Sequence, residues 1–203
     1  MSLDRSIFTT KADAIRLNAR RQLFLDDYLI AENRGLKRRL HQPERCGPLM
    51  TPDTEAGQQS LQSRSAPQWN PEKKHWEWWY WGNWTCEPYG KWATTAISLT
   101  HYAVSADGVN WEHPNLGLYE WQGSKDNNII MDPTLPSRAL YHMIRDERDP
   151  DPQRRYKALL KNENRQPAVS PDGIQWDTLG IAEIPSSDES HFYYDPYGEQ
   201  FVA

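Results

Sequence analysis

The nonapeptide AVSADGVNW, Ala103 to Trp111, returns as AVSPDGIQW, Ala168 to Trp176, 65 residues further along the chain. Seven of its nine positions are identical or exchange valine for isoleucine, a match beyond chance for a motif that contains tryptophan. Asp-Gly between apolar flanks is a strong hairpin signal, because glycine reverses the chain at φ values that other residues avoid. A looser repeat interleaves with the first. Asn70-Pro71, Asp151-Pro152 and Asp195-Pro196 are turns by composition, and each precedes an aromatic that begins a strand. Turns of the Asp-Pro kind thus alternate with turns of the Ser-x-Asp-Gly kind, which predicts an antiparallel sheet repeated along the chain.

The segments between these turns read as strands. WEWWYW, Trp76 to Trp81, suits a strand buried on both faces, and Thr94 to Val104 continues as the next. RQLFLDDYLI, Arg21 to Ile30, predicts a strand or extended arm. His41 to Ser65 lacks periodicity and predicts a long surface loop. Helical spacing of apolar residues occurs only within Thr10 to Leu23, at Ala14, Ile15, Leu17 and Leu23. The predicted fold class is all-β, of the β-propeller type, since a repeat of roughly 45 to 80 residues suits propeller blades. Residues 1–20 form an N-terminal arm or short helix. Residues 21–203 form a partial propeller of blades one, two and the start of three. The chain stops within a strand at Phe201-Val202-Ala203, which leaves unclosed propeller edges open to self-association and predicts an inactive, oligomeric or poorly soluble product.

Composition narrows the function classes. A net charge of −5 argues against a nucleic-acid partner, and the basic cluster from Lys37 to Arg39 is too short to reverse that. No apolar run has the length of a membrane span, and Met1 to Asn18 lacks a signal-peptide core. The expected location is cytoplasmic as written, or secreted or periplasmic if the true N-terminus is missing. Cys46 and Cys86 have neither a disulfide-scaffold nor a zinc-ligand pattern and read as buried thiols.

LFLDDYLIA (Leu23 to Ala31), HQPE (His41 to Glu44), NLGLYEWQGSKDNNII (Asn115 to Ile130), RDERDPDPQRRYKAL (Arg145 to Leu159) and the two Ser-x-Asp-Gly-x-x-Trp turns carry a family resemblance. Together they resemble a bacterial group labelled as having a glycoside hydrolase family 32 N-terminal domain, within the β-fructosidase and arabinosidase superfamily. The resemblance covers the chain from about Arg21 to its end. It implies a five-bladed, furanosidase-like propeller with carboxylates around a central pit, an oligosaccharide or polysaccharide substrate, and neither metal nor organic cofactor. One carboxyl group would protonate the leaving oxygen and another would act as nucleophile or activate water.

On that basis the catalytic candidates are Glu189, Asp27 and Asp146. Glu189, with Asp188 beside it, precedes the expected inner strand His191 to Tyr194, where the superfamily places its general acid. Asp27 is preferred to Asp26 because like charges side by side seldom share one task. Arg145-Asp146 is similar to the family's Arg-Asp-Pro signature, with Glu147 in place of the proline, and Asp132 occupies the strand-starting position instead. His191 is a further substrate-binding candidate. Trp84 and Trp92, read as loop residues after the aromatic strand, are the tryptophans best placed to face a sugar. Trp111 and Trp176 occupy equivalent repeat positions and read as structural. LQSRSAPQW, Leu61 to Trp69, lacks the carboxylate that the superfamily carries on its first inner strand. Either Asp27 substitutes for it or the fold binds sugars without cleaving them. A β-sandwich interaction domain with a chance duplication is the remaining alternative.

Overall fold

A computed structural model of the protein describes residues 23–84, 97–135, 139–161, 164–187 and 190–203. The chain divides into two compact units, Met1–Cys46 and Gly47–Ala203. The described part of the first unit consists of bends and turns with no strand, a departure from the strand or arm expected over Arg21 to Ile30. The two aspartates explain it. The Asp26 carboxylate accepts from the Tyr28 amide at 2.9 Å, and the Asp27 carbonyl from the Ile30 amide at 3.0 Å, so local bonds compete with a ladder. Leu23, Phe24 and Leu25 stay exposed as a result. Cys46 is exposed rather than buried, and Cys86 lies outside the described residues.

The second unit is all-β, with several antiparallel sheets. In the first sheet β1 (Gln58–Gln62) and β2 (Gln68–Asn70) both pair with the long β3 (His75–Trp84), which pairs on its other side with β4 (Ile97–Ser105). The second sheet runs β5 (Leu140–Arg145), β6 (Tyr156–Leu160), β7 (Gln166–Ser170) and β8 (Asp177–Thr178). The third pairs β9 (Tyr193–Asp195) with β10 (Gln200–Val202). Among the described residues there is no α-helix, only a 3-10 turn at Pro152–Arg154, and no helix is long and apolar enough to cross a membrane. Strand β1 corrects the loop expected from His41 to Ser65. Asp53 and Gln58 exchange backbone and side-chain hydrogen bonds at 2.9 Å, closing a turn from which the strand can start without an apolar pattern.

The repeated sequence produces repeated geometry. Ser105 and Ser170 each receive the amide two residues on at 3.3 Å and the glycine amide at 2.9 Å. Asp107 and Asp172 then accept from the next two amides at 2.8 to 2.9 Å. These bonds hold Gly108 at φ 76° and Gly173 at φ 77°, where a Cβ would be strained. The Asn70-Pro71 and Asp195-Pro196 hairpins also match. Their carboxamide or carboxylate caps an amide two residues on, and Lys74 (φ 55°) and Glu199 (φ 51°) take the left-handed position before the second strand.

Consecutive sheets pack through opposite faces. Trp79 and Tyr102 from one face of the first sheet meet Met143, Tyr156, Ala158, Leu160 and Ala168 of the second. The indole of Trp79 donates to the Gly173 carbonyl at 2.6 Å and that of Trp81 to the Leu140 carbonyl at 2.7 Å. A tryptophan buries about 150–250 Å². At ~25 cal/mol/Å² that is about 4–6 kcal/mol of transfer free energy for each, before conformational entropy is subtracted.

Between these sheets lies Glu77, fully buried. Its carboxylate accepts from Tyr156 (2.5 Å), Tyr102 (2.7 Å), Asn70 (3.1 Å) and Lys73 (3.2 Å). Burial alone would raise its pKa, but these hydrogen bonds and the Lys73 charge outweigh that and hold it below the usual 4.5.

Candidate functional site

An open cleft of about 490 Å³ is lined by Ser63, Arg64, His142, Ser190 and His191. Ser63 and Arg64 occupy the break between β1 and β2. Ser63 Oγ donates to the Ser65 carbonyl at 2.6 Å and receives the Trp78 indole at 2.7 Å, which fixes the kink. The kink sends the Arg64 guanidinium across the rings of Trp81 and Tyr141, 5.2 and 5.5 Å from their centroids.

His142 comes from β5, just after a register shift against β6 between Leu140 and His142. Irregularities of this kind re-aim side chains, and here the imidazole stands within the run Leu140 to Ile144. Its Nδ1 lies 3.0 Å from the Arg64 carbonyl and its Nε2 3.0 Å from Ser190 Oγ. A carbonyl only accepts, so Nδ1 carries the proton and the Ser190 hydroxyl donates to Nε2. His191 stacks on His142 with ring centroids 6.3 Å apart. Behind them the buried Arg165 lies 3.6 Å above the Tyr141 ring and donates from Nε to Ser190 Oγ at 3.3 Å. Burial pulls the His142 pKa down. The Arg64 carbonyl opposes this, but the charges of Arg165, His191 and Arg64 add to the fall, and the net is below 6.5.

Of the residues singled out from sequence, His191 lines this cleft. Glu189, Asp188 and Trp92 lie outside the described residues, the first two directly before Ser190. Asp27 belongs to the unit ending at Cys46, is exposed, and accepts from Arg38 at 2.6 Å. Asp146 directly follows β5 and is buried, bonded to Lys157 at 2.8 Å and Arg148 at 2.9 Å. Burial would raise its pKa, but these cations and the Arg148 amide bring it below the usual 3.8. Arg145 turns to Glu147 (2.5 Å) and the Tyr156 hydroxyl (2.7 Å), within the bonds that join the sheets. Asp132 caps a turn, accepting from the Thr134 amide and hydroxyl at 2.9 and 2.7 Å. Trp84 corrects its expected loop position. It ends β3, is 7 % exposed, and packs on Leu99 and Ile129 because the strand runs three residues beyond the aromatic run.

Ser63, Arg64, His142 and Ser190 were not legible as site residues. A histidine within the apolar run Leu140 to Ile144 is the one local signal that could have marked any of them. Among the described residues, no group of three or more histidine, cysteine, aspartate or glutamate side chains could hold a metal ion. No family model matches the chain, and no curated protein matches it significantly.

Proposed function

We propose that the Gly47–Ala203 unit is part of a carbohydrate-active β-propeller, that its sheets are successive blades, and that the cleft at Ser63, Arg64, His142, Ser190 and His191 receives a glycan for acid-base cleavage. The observation that carries this reading is where the lining residues come from. Ser63 and Arg64 directly follow the first strand of the first sheet, His142 lies on the first strand of the second, and Ser190 and His191 come just ahead of Phe192 and β9. First strands that converge on one cavity are what the inner strands of successive propeller blades would provide. The regular succession of opposite faces supports the same architecture. Hydroxyl, imidazole and guanidinium groups suit the hydroxyl-rich edge of a sugar. Glu189 lies beside Ser190 in sequence and would supply the proton to the leaving oxygen.

The test pairs calorimetric titration with fructo- and arabino-oligosaccharides and an assay of reducing-end release, on the wild type and on Glu189→Gln and Arg64→Ala. The hydrolase reading expects Glu189→Gln to bind but lose turnover by on the order of 10²-fold or more. Arg64→Ala should weaken binding. One observation favours a second reading, a propeller that binds glycans without cleaving them: Asp146 and Asp132 are both committed to local bonds. Binding with no turnover in the wild type would select it. Absence of binding to any glycan tested would overturn both.

A further inference from the structure

We infer that Ser190 and His142 form a nucleophile-base pair able to hydrolyse acyl esters carried on a carbohydrate. Four observations meet at one point. Both residues line the open cleft, so a substrate carbonyl can reach Ser190 Oγ. The hydroxyl lies 3.0 Å from His142 Nε2, within the range for proton transfer. The Arg64 carbonyl, 3.0 Å from Nδ1, holds the imidazole in the tautomer that leaves Nε2 free to accept, the orienting task that a carboxylate performs in serine hydrolases. Arg165 Nε, 3.3 Å from the same Oγ, favours the negative charge that develops as the proton departs. The depressed His142 pKa agrees with a ring that is neutral at pH 7, its Nε2 lone pair available to accept a proton. A purely structural hydroxyl has no need of all four arrangements at the mouth of a cavity.

The chemistry balances with water as the second reactant. Ser190 Oγ bonds to the ester carbonyl carbon while its proton passes to His142 Nε2. The tetrahedral intermediate breaks its bond to the sugar oxygen, which takes that proton and leaves as the alcohol. A water molecule then attacks the acyl-serine and gives a proton to Nε2. Collapse returns that proton to Oγ and releases the carboxylic acid.

This activity rests on the same cleft as the proposed glycan site, but its test does not depend on which sugar binds there. The full chain is treated with a fluorophosphonate probe and the labelled peptide is identified by mass spectrometry. Hydrolysis of p-nitrophenyl acetate is followed from pH 4 to 9 alongside. The expected result is a label on Ser190 that is lost in Ser190→Ala, with ester turnover falling by on the order of 10²-fold or more. Turnover in the wild type should rise along a limb centred below pH 6.5, set by His142. Circular dichroism of Ser190→Ala checks that the loss is chemical. A folded wild type that takes no label at Ser190, or a Ser190→Ala protein that keeps its turnover, overturns the inference. Labelling without glycan binding would overturn the carbohydrate reading alone, and glycan binding without labelling would overturn the dyad alone.

Discussion

Glu77 of the first sheet and Lys157 of the second occupy the same position of the repeat. Glu77 pairs with Val104 and Lys157 with Val169, and these valines are the second residues of the two nonapeptide copies. Both side chains are buried, and they carry opposite charges. What each meets in the following sheet differs to match. Glu77 receives the hydroxyl of Tyr156, the residue paired with Ser170 at the second sheet's repeat turn, at 2.5 Å. Lys157 lies 5.3 Å from the ring of Phe201, which holds the corresponding place in the third sheet's hairpin. A carboxylate needs donors, and Tyr156 supplies one. An ammonium tolerates a π face, and Phe201 offers it while Asp146 and Asp149 neutralise the charge at 2.8 and 2.9 Å. One backbone frame therefore accepts either sign, provided the hairpin beside it and the next sheet together bring the complement.

The largest test breaks the Glu77 end of the comparison. Glu77→Ala leaves the Tyr156 and Tyr102 hydroxyls without their acceptor and opens a cavity, so urea unfolding should show a loss of about 3–5 kcal/mol. Lys157→Met, which keeps the volume and frees carboxylates that Arg148 and Arg154 still face, should cost about 1–2 kcal/mol. Equal losses would refute the asymmetry.

Acid separates the repeats next. His101 is buried, and its Nδ1 donates to the Asn128 side-chain Oδ1 at 2.8 Å, whereas the matching residue of the second copy is Gln166. Burial lowers the His101 pKa from 6.5 to about 4. The unfolded chain therefore takes up the proton first, and stability present above pH 6.5 falls as pH drops toward 4. At about 1.4 kcal/mol per pKa unit the loss is about 3 kcal/mol. Below 4.5 Glu77 adds to it, since its own depressed pKa makes the unfolded carboxylate protonate first. His101→Gln, which installs the second copy's residue, should flatten the slope between pH 6.5 and 4. An unchanged slope would remove His101 from the account.

The glycines give a smaller contrast. A Cβ on Gly173 would meet the Trp79 ring at 2.6 Å, whereas on Gly108 the nearest atom, of Trp76, is at 3.5 Å. Gly173→Ala should lower stability by about 3 kcal/mol and Gly108→Ala by about 1 kcal/mol, the backbone cost common to both. Thermal melts of the two variants check this. Smallest is Phe201→Leu, which keeps an apolar contact and loses the cation–π attraction, at about 0.5–1 kcal/mol. A loss above 2 kcal/mol would mean that Phe201 does more than face Lys157.

Much of the fold could be read from the sequence because its information is local. The bonds of the Ser-x-Asp-Gly turns and of the Asn70 and Asp195 hairpins close within two or three residues, so the residue types suffice to specify them. The aromatic strand followed from WEWWYW in the same way. The first inner strand, expected over Leu61 to Trp69, was misplaced: the chain pairs at Gln58–Gln62 and again at Gln68–Asn70, and a polar edge strand has little apolar pattern to mark its bounds. Trp84 was misplaced because nothing local marks where β3 stops.

The sequence by itself determined the strand-turn alphabet and its period. Only the tertiary structure decided which side chains share a cleft and which partner each buried charge meets. His142 reaches Ser190 across 48 residues and the Arg64 carbonyl across 78, and Glu77 reaches Tyr156 across 79. The physical reason is that these contacts depend on how whole sheets stack and which faces they bury. That stacking is set by the summed packing of Trp79, Trp81, Tyr102 and Tyr156, not by the turn chemistry of any one segment.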